Sequence, residues 1–305
     1  SYFSPYGFPN LPDGPAGEYL NDRLTEEALK FIESSKKTPF LLFLPHYAVH
    51  LPLQAKSESV ERFNDKAAGL PSHPKEFIKD NSRQVRQVQN NATYAAMIES
   101  LDQSVGQIMN KLTELGIDTN TIVIFSSDNG GTSTSKDSPT SNLPLRGGKG
   151  WPYEGGIREP LIIKWPGVTR PDSLCRAPVI STDFYPTLLE MAGSPPLPKQ
   201  HLDGVSIVPA LRGKPLCKRS FFWHYPHYSN QGGSPHGVVR SGDYKLIEWY
   251  EDMRTELYNL AKDLGEQHDL ASTMPEKTLR LRTELHDWRK EVNARMPIKN
   301  PDYDP

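Results

Sequence analysis

Residues 92–126 constrain the fold more tightly than any other stretch of this 305-residue chain. Tyr94, Ile98, Leu101, Val105, Ile108, Leu112 and Leu115 recur at alternating spacings of four and three. That is the single apolar stripe of an amphipathic helix. Gly116 follows as a C-cap, and residues 121–126 are a short apolar run of strand length. Helix, short loop and apolar strand in this order make half of a βαβ unit. Residues 40–47 and 161–165 are further apolar runs. They read as strands buried on both faces, as in a parallel sheet. Residues 25–34 read as a helix with Thr25 as N-cap and Leu24, Ala28, Leu29 and Ile32 on one face, ended by Thr38 and Pro39. Residues 1–18 read as extended loop, and 56–90 as loop with short helix.

After about residue 215 the pattern changes. Segments 221–225, 237–240, 244–250 and 256–260 are short, are separated by Gly and Asp turns, and predict an antiparallel meander. A closing helix is expected over 277–292, with Leu279, Leu281, Leu285 and Trp288 as buried positions. The expected organisation is an α/β layer over 1–214 and a small antiparallel-sheet plus helix subdomain over 215–305. The charge sum of 35 Lys+Arg against 37 Asp+Glu gives −2. Such a balance argues against nucleic acid as partner, since its readers carry a basic excess. No apolar run approaches the roughly 18 residues of a membrane span. Cys175 and Cys217 form no CxxC pair; they leave either one disulfide or two free thiols open. No signal peptide is read at the N-terminus, and Ser1 starts in mid-loop, which raises the expectation of a longer parent chain.

Chemistry concentrates in four places. Ser126-Ser127-Asp128-Asn129-Gly130-Gly131 closes a strand, and ligands of open α/β sheets bind beyond strand C-termini. Asp128 and Asn129 offer adjacent oxygens of the kind hard cations such as Ca²⁺ or Mg²⁺ take, although the same residues also make plain turns. Leu145-Arg146-Gly147-Gly148-Lys149-Gly150 lets backbone approach an anion while Lys149 presents a compact charge, with Arg146 as a further substrate contact. The P-loop spacing is absent. His50, beyond the apolar run 40–47, could bind an anion or protonate a leaving group. Trp223-His224-Tyr225-Pro226-His227-Tyr228 suits sugar stacking and hydroxyl hydrogen bonds, with His224 and His227 towards the substrate. The Gly-, Ser- and Thr-rich residues 130–156 are too long for an idle connection, and 130–147 is expected to be mobile or held by a partner.

These pieces, in order, resemble the C-terminal portion of the formylglycine-dependent sulfatases. The run Asp128-Asn129-Gly130, Gly148-Lys149-Gly150 and Tyr153-Glu154-Gly155-Gly156-Ile157-Arg158-Glu159-Pro160 carries the likeness. Val49-His50-Leu51-Pro52, the segments 19–24 and 94–102, and Thr182-Asp183-Phe184-Tyr185-Pro186-Thr187-Leu188 extend it over nearly the whole chain. Residues 223–233 are similar to the arylsulfatase and bacterial polysaccharide sulfatase branch. The resemblance implies a partial alkaline-phosphatase-like α/β sheet and hydrolysis of sulfate esters of a carbohydrate or aryl alcohol. It implies Ca²⁺ held in part by Asp128 and Asn129, a sulfate oxygen bound by Lys149, and His50 on the sulfate and bridging oxygen. It further implies a periplasmic or secreted setting.

The family's formylglycine comes from Cys-X-Pro-Ser-Arg, and neither Cys175-Arg176-Ala177-Pro178 nor Cys217-Lys218-Arg219-Ser220 matches it. The family's Asp-Asp metal pair and Gly-Lys-Trp/Tyr-His segment are absent as well. All three belong to the family's N-terminal half, so this chain holds no nucleophile and is expected to be inactive alone. A second chain supplying that half is one expectation. The alternatives are a non-catalytic module binding sulfated glycans, or a phosphoesterase of the same superfamily; the Lys149 segment favours the sulfatase.

Overall fold

The computed structural model describes residues 1–71, 75–81, 83–298 and 300–302. The chain falls into two compact units, residues 1–123 with 135–141, and residues 124–134 with 142–305. This division lies elsewhere than the boundary at 214/215. The reason is in the second unit's core, where Trp151 and Tyr153 from the glycine-rich loop pack with Val238, Ile247, Trp249 and Tyr258 of the C-terminal sheet.

The first unit holds α1 (Leu20–Ser35), α2 (Ser57–Ala68), the antiparallel hairpin β1 (Phe77–Asp80) with β2 (Arg83–Arg86), and α3 (Ala92–Glu114). The helix α1 starts ahead of the expected N-cap. Thr25 sits inside it, buried, its hydroxyl donating to Asn21 O at 2.6 Å and meeting Ser104 Oγ at 2.6 Å. A hydroxyl bonded to the carbonyl four residues back is compatible with a helix interior. The α3 helix forms as expected, with the Asn91 side chain accepting from Tyr94 N. Its deepest face is nevertheless Ala96, Met97, Ser100, Ser104 and Leu112, while Ile98 of the apolar stripe is 44% exposed. Small polar residues let α1 approach closely there, through Thr25–Ser104 and Asn21–Ser100 contacts. Residues 1–18 carry no helix or strand element, yet Tyr2 and Tyr6 are buried with Tyr19, Leu20 and Met97.

Residues 40–47 do not form the expected strand. Among the described residues no neighbouring strand pairs with them. Their side chains alternate half-buried and exposed, Leu41 at 76% and Phe43 at 82%. Apolar composition alone cannot make a strand when no second backbone supplies the ladder.

In the second unit β3 (Val123–Ser126), whose first residue belongs to the first unit, is hydrogen-bonded to β4 (Leu161–Lys164). Both are half-buried rather than covered on both faces, with Ile162 63% exposed. Between them lies a one-turn helix, α4 (Glu154–Ile157), and after them come α5 (Phe184–Met191) and the one-turn α6 (Val208–Leu211). Asp183, buried ahead of α5, accepts from Val205 N and Ile180 N and pairs with Arg219. The expected meander is present as β5 (Ser220–Tyr225), β6 (His236–Ser241), β7 (Tyr244–Trp249) and β8 (Thr255–Asn259), in sequential antiparallel order, followed by α7 (Pro275–Glu291). Leu281 and Leu285 of α7 pack on Val239, Leu246 and Leu257. Leu279, expected inside, is 67% exposed because it lies off the face that 281 and 285 share.

Strand alternation then turns Val238, Ile247 and Tyr258 to the opposite face, against Trp151 and Tyr153. Lys245 lies on that second face, fully buried, with Nζ 3.1 Å from Glu154 Oε1 and 2.8 Å from Glu266 Oε1. Glu266 Oε2 accepts from Glu154 N at 2.6 Å. Burial works against the Glu154 carboxylate, but Lys245, Arg240 and Arg158 outweigh it and hold its carboxyl below the ordinary range. Burial pushes the Glu266 carboxyl up, with Lys245 offsetting part of that. On the α7 face Glu248 is buried and pairs with His286 and Arg289, both at 2.8 Å.

Two outcomes follow for stability. Lys245→Met leaves two buried carboxylates without their cation, and should cost about 3–5 kcal/mol in urea unfolding followed by tryptophan fluorescence. A loss below about 1 kcal/mol would show that the cluster carries little stability. The second concerns His236, whose Nδ1 donates to Ser234 O at 2.7 Å and whose ring stacks on Tyr225. Burial pushes its imidazole down from 6.5 to about 4. Between those values the unfolded chain takes up a proton that the folded chain refuses. Stability therefore falls as pH drops through this window and is unaffected by this group above it, the full loss being about 3 kcal/mol. His236→Asn should lack that part of the acid sensitivity, measured as the difference between unfolding free energies at about pH 7.5 and pH 4. Equal acid losses in the two proteins would contradict the assignment.

Candidate active site

The turn after β3 is built by its own short-range hydrogen bonds. Ser127 Oγ donates to Asn129 O at 3.1 Å, Asn129 N donates to Asp128 Oδ1 at 2.9 Å, and Asn129 Nδ2 donates to Gly130 O at 3.2 Å. Asp128 is exposed, and Asn129 keeps its amide oxygen without a protein donor among the described residues. Ser126 Oγ donates to Pro160 O at 3.1 Å, and Gly130 N to Gly156 O at 3.3 Å. Those two contacts lay residues 126–130 alongside 156–160. Glu159 is thereby brought to Asp128: half-buried, its Oε1 is wholly inaccessible and has no hydrogen-bond partner. Burial, and then the Asp128 charge, push the Glu159 carboxyl up to about 7.

The glycines of the next loop are there for close approach. A Cβ on Gly130 would stand 1.8 Å from Gly155 O, and one on Gly150, which has φ +81°, would stand 2.3 Å from Ser229 Oγ. Lys149 N donates to Gly131 O at 3.3 Å, so Lys149 is tied by its backbone to the segment that carries Asp128 and Asn129. The Lys149 side chain makes no ion pair among the described residues. The aromatic loop joins the same cluster, since Gln231 O accepts from Trp151 Nε1 at 3.0 Å and from Thr134 Oγ1 at 2.8 Å. Within residues 130–147, Ser133, Thr134, Ser138, Thr140 and Ser141 are buried. Asn142 Nδ2 donates to Gly131 O at 2.8 Å and Gly147 O at 3.0 Å.

The remaining sequence-predicted residues separate by what their polar atoms do. Arg146 lies 3.9 Å over the Tyr153 ring and donates to Tyr258 Oη at 3.1 Å and Glu266 O at 3.0 Å, a grip on the sheet. His224 has Nδ1 2.7 Å from Tyr250 Oη and Nε2 2.8 Å from Arg295 O, so both ring nitrogens are engaged within the chain. His227 is exposed, edge-on to Tyr225 at 5.5 Å. His50 belongs to the first unit; it is exposed, with Nδ1 3.0 Å from Leu51 O, and its turn is pinned by Tyr2 Oη donating to Tyr47 O and His50 O. Cys175 and Cys217 are both exposed free thiols. Glu159 was not singled out from the sequence, where it was one letter of a longer run. Only the folded backbone places it beside Asp128.

Asp128, Asn129 and Glu159 present hard oxygen atoms, the donor type that Ca²⁺ and Mg²⁺ require. The orphaned Glu159 oxygen and the open Asn129 oxygen fit such an ion. They fill part of a shell of 6–8 oxygens. Among the described residues no three His, Cys, Asp or Glu side chains group to hold a metal.

The sulfatase family profile matches residues 1–194, and the profile for the C-terminal part of N-sulphoglucosamine sulphohydrolase matches residues 148–293. A sulfatase of Formosa agariphila is 37% identical over 303 residues, which is 91% of this chain and 51% of the relative. Human steryl-sulfatase is 32% identical over 212 residues, 68% of this chain and 32% of its own length. The solved structure of Ps i-CgsB in complex with k-i-k-neocarrahexaose superposes with a TM-score of 0.74 at 28% identity, covering 92% of this chain and 56% of that one. The chain thus spans about half the length, or less, of the relatives it matches. With a family profile over residues 1–194 and a 37% identical relative aligned along 91% of its length, this chain belongs to the sulfatase family.

Proposed function

We infer that the chain is part of a sulfuric ester hydrolase acting on a sulfated carbohydrate or aryl sulfate, and that its nucleophile comes from outside these 305 residues. The observation that carries this is Lys149, an unpaired ammonium held by its backbone to the loop of Asp128 and Asn129. A sulfuryl group in transfer carries charge on its oxygens, and a fixed ammonium offsets that charge as it shifts. Asp128 and Asn129 would hold a Ca²⁺ or Mg²⁺ ion, which when bound would supply further positive charge to offset those oxygens. The resemblance alone proposes His50, on the first unit, as a sulfate contact; its Nδ1 donates to the Leu51 carbonyl, which leaves Nε2 uncommitted. His227, exposed beside Tyr225, is the imidazole left to grip a sugar hydroxyl. His224, with both ring nitrogens engaged within the chain, and Arg146, whose Nη1 holds Tyr258 and the Glu266 carbonyl, are read as supports of the site.

The carbohydrate reading is supported by Ps i-CgsB, solved with k-i-k-neocarrahexaose. A missing half is supported by Leu41 and Phe43, exposed on an apolar run with no backbone partner among the described residues. Exposed apolar surface of that kind marks an interaction face. A second chain, or a longer form of this one, would cover it and bring the formylglycine. A periplasmic or secreted setting goes with this reading.

The test is sulfate release from an aryl sulfate and from sulfated oligosaccharides. Residues 1–305 alone should give none, and the protein completed by its remaining half should turn over. In that completed enzyme Lys149→Ala and His50→Ala should each lower kcat by about 10²-fold or more. Asp128→Ala should abolish activity, while His227→Ala should raise KM and leave kcat nearly unchanged. Robust turnover by the 305-residue chain alone would mean that the nucleophile lies within it.

A further inference from the structure

We propose that Glu159 is a third oxygen donor to the divalent cation taken by Asp128 and Asn129. This rests on the sulfatase reading for the kind of ion, a hard dication. Three observations carry it. The first is placement: the Ser126 Oγ to Pro160 O and Gly130 N to Gly156 O hydrogen bonds lay the Asp128 turn against the segment of Glu159. The second is an unmet need. Glu159 Oε1 is shut off from solvent and has no donor, which is costly for a carboxylate unless something positive meets it.

The third is charge. Among the described residues no Lys, Arg or His forms an ion pair with Asp128 or Glu159. The nearest cation in sequence, Arg158, is turned to Glu154 at 3.4 Å. Two neighbouring carboxyl groups without a protein counter-charge offer oxygen donors to one hard dication. The Asn129 amide oxygen adds a neutral donor of the right hardness. Glu159 would thus bind the ion from the segment between α4 and β4, and couple the position of the glycine loop to the cation.

The experiment uses the 305-residue chain with CaCl₂ in thermal unfolding, and TbCl₃ in sensitised luminescence. The wild-type chain should bind in the weak range, with Kd of about 10⁻⁴ to 10⁻³ M, and melt higher as CaCl₂ is added. Glu159→Gln removes the charge and keeps the shape. It should melt at or above the wild type without CaCl₂, because the repulsion from Asp128 is gone, and should bind at least about tenfold more weakly. Asp128→Asn should weaken binding to at least the same degree. Glu159→Asp keeps the charge but withdraws the oxygens, and should also weaken binding. Should Glu159→Gln or Glu159→Asp bind as tightly as the wild type while Asp128→Asn does not, Glu159 is not a donor and the Asp128 site stands. Should the wild type bind nothing, or should Asp128→Asn also bind normally, the proposal falls together with the cation reading of this loop.

Discussion

The second unit depends on the ammonium of Lys245, fully buried between Glu154 and Glu266. Its strand is one of four in a meander whose two faces do different work. One face takes α7 through Leu281 and Leu285. The other takes the loop of Trp151 and Tyr153. Lys245 reaches from that second face to the residue after Tyr153 and fixes the start of α4. A charge in such a place is tolerated only with partners in good geometry. Removal of Lys245 takes away the cation that Glu154 and Glu266 share, so the loop is seated on the sheet through that ammonium.

From that seat the candidate site follows by backbone contact. Arg146 and Glu154 grip the sheet at the two ends of the loop, through Tyr258, the Glu266 carbonyl and the Lys245 ammonium. Between them Gly148, Lys149 and Gly150 are pressed on Gly131 and Ser229, where side chains would not fit. Lys149 therefore owes its place to a sheet remote from it in sequence. The C-terminal region is the mount of the charged loop as much as a subdomain beside it.

The first unit shows how far an apolar run can mislead. Residues 40–47 have the composition of a central strand and lie without a ladder, Leu41 and Phe43 turned outwards. The helix α3 likewise forms where its period says it should, but buries Ser100 and Ser104 while Ile98 is exposed. The helix is readable from its period while the strand is not, because a strand needs a second backbone and the buried face of either depends on which neighbours are present.

The sequence by itself determined the α3 helix, the four-stranded meander, the closing helix and the family-bearing run from Asp128 to Pro160, because periodicity, turn residues and short motifs are local properties. It also singles out Asp128, Asn129 and Lys149 as candidates for chemistry from their types and their glycine surroundings. Only the tertiary structure shows that Arg146 Nη1 and both ring nitrogens of His224 are engaged within the chain, since their partners lie at Glu266 and Tyr258, and at Tyr250 and Arg295. It alone set Glu159 beside Asp128 and chose Thr25 as a helix-interior contact instead of a cap. The physical reason is common to all of these: a polar side chain's role is fixed by which donors, acceptors and charges reach it across the fold, and that distance is not written in its neighbours along the chain.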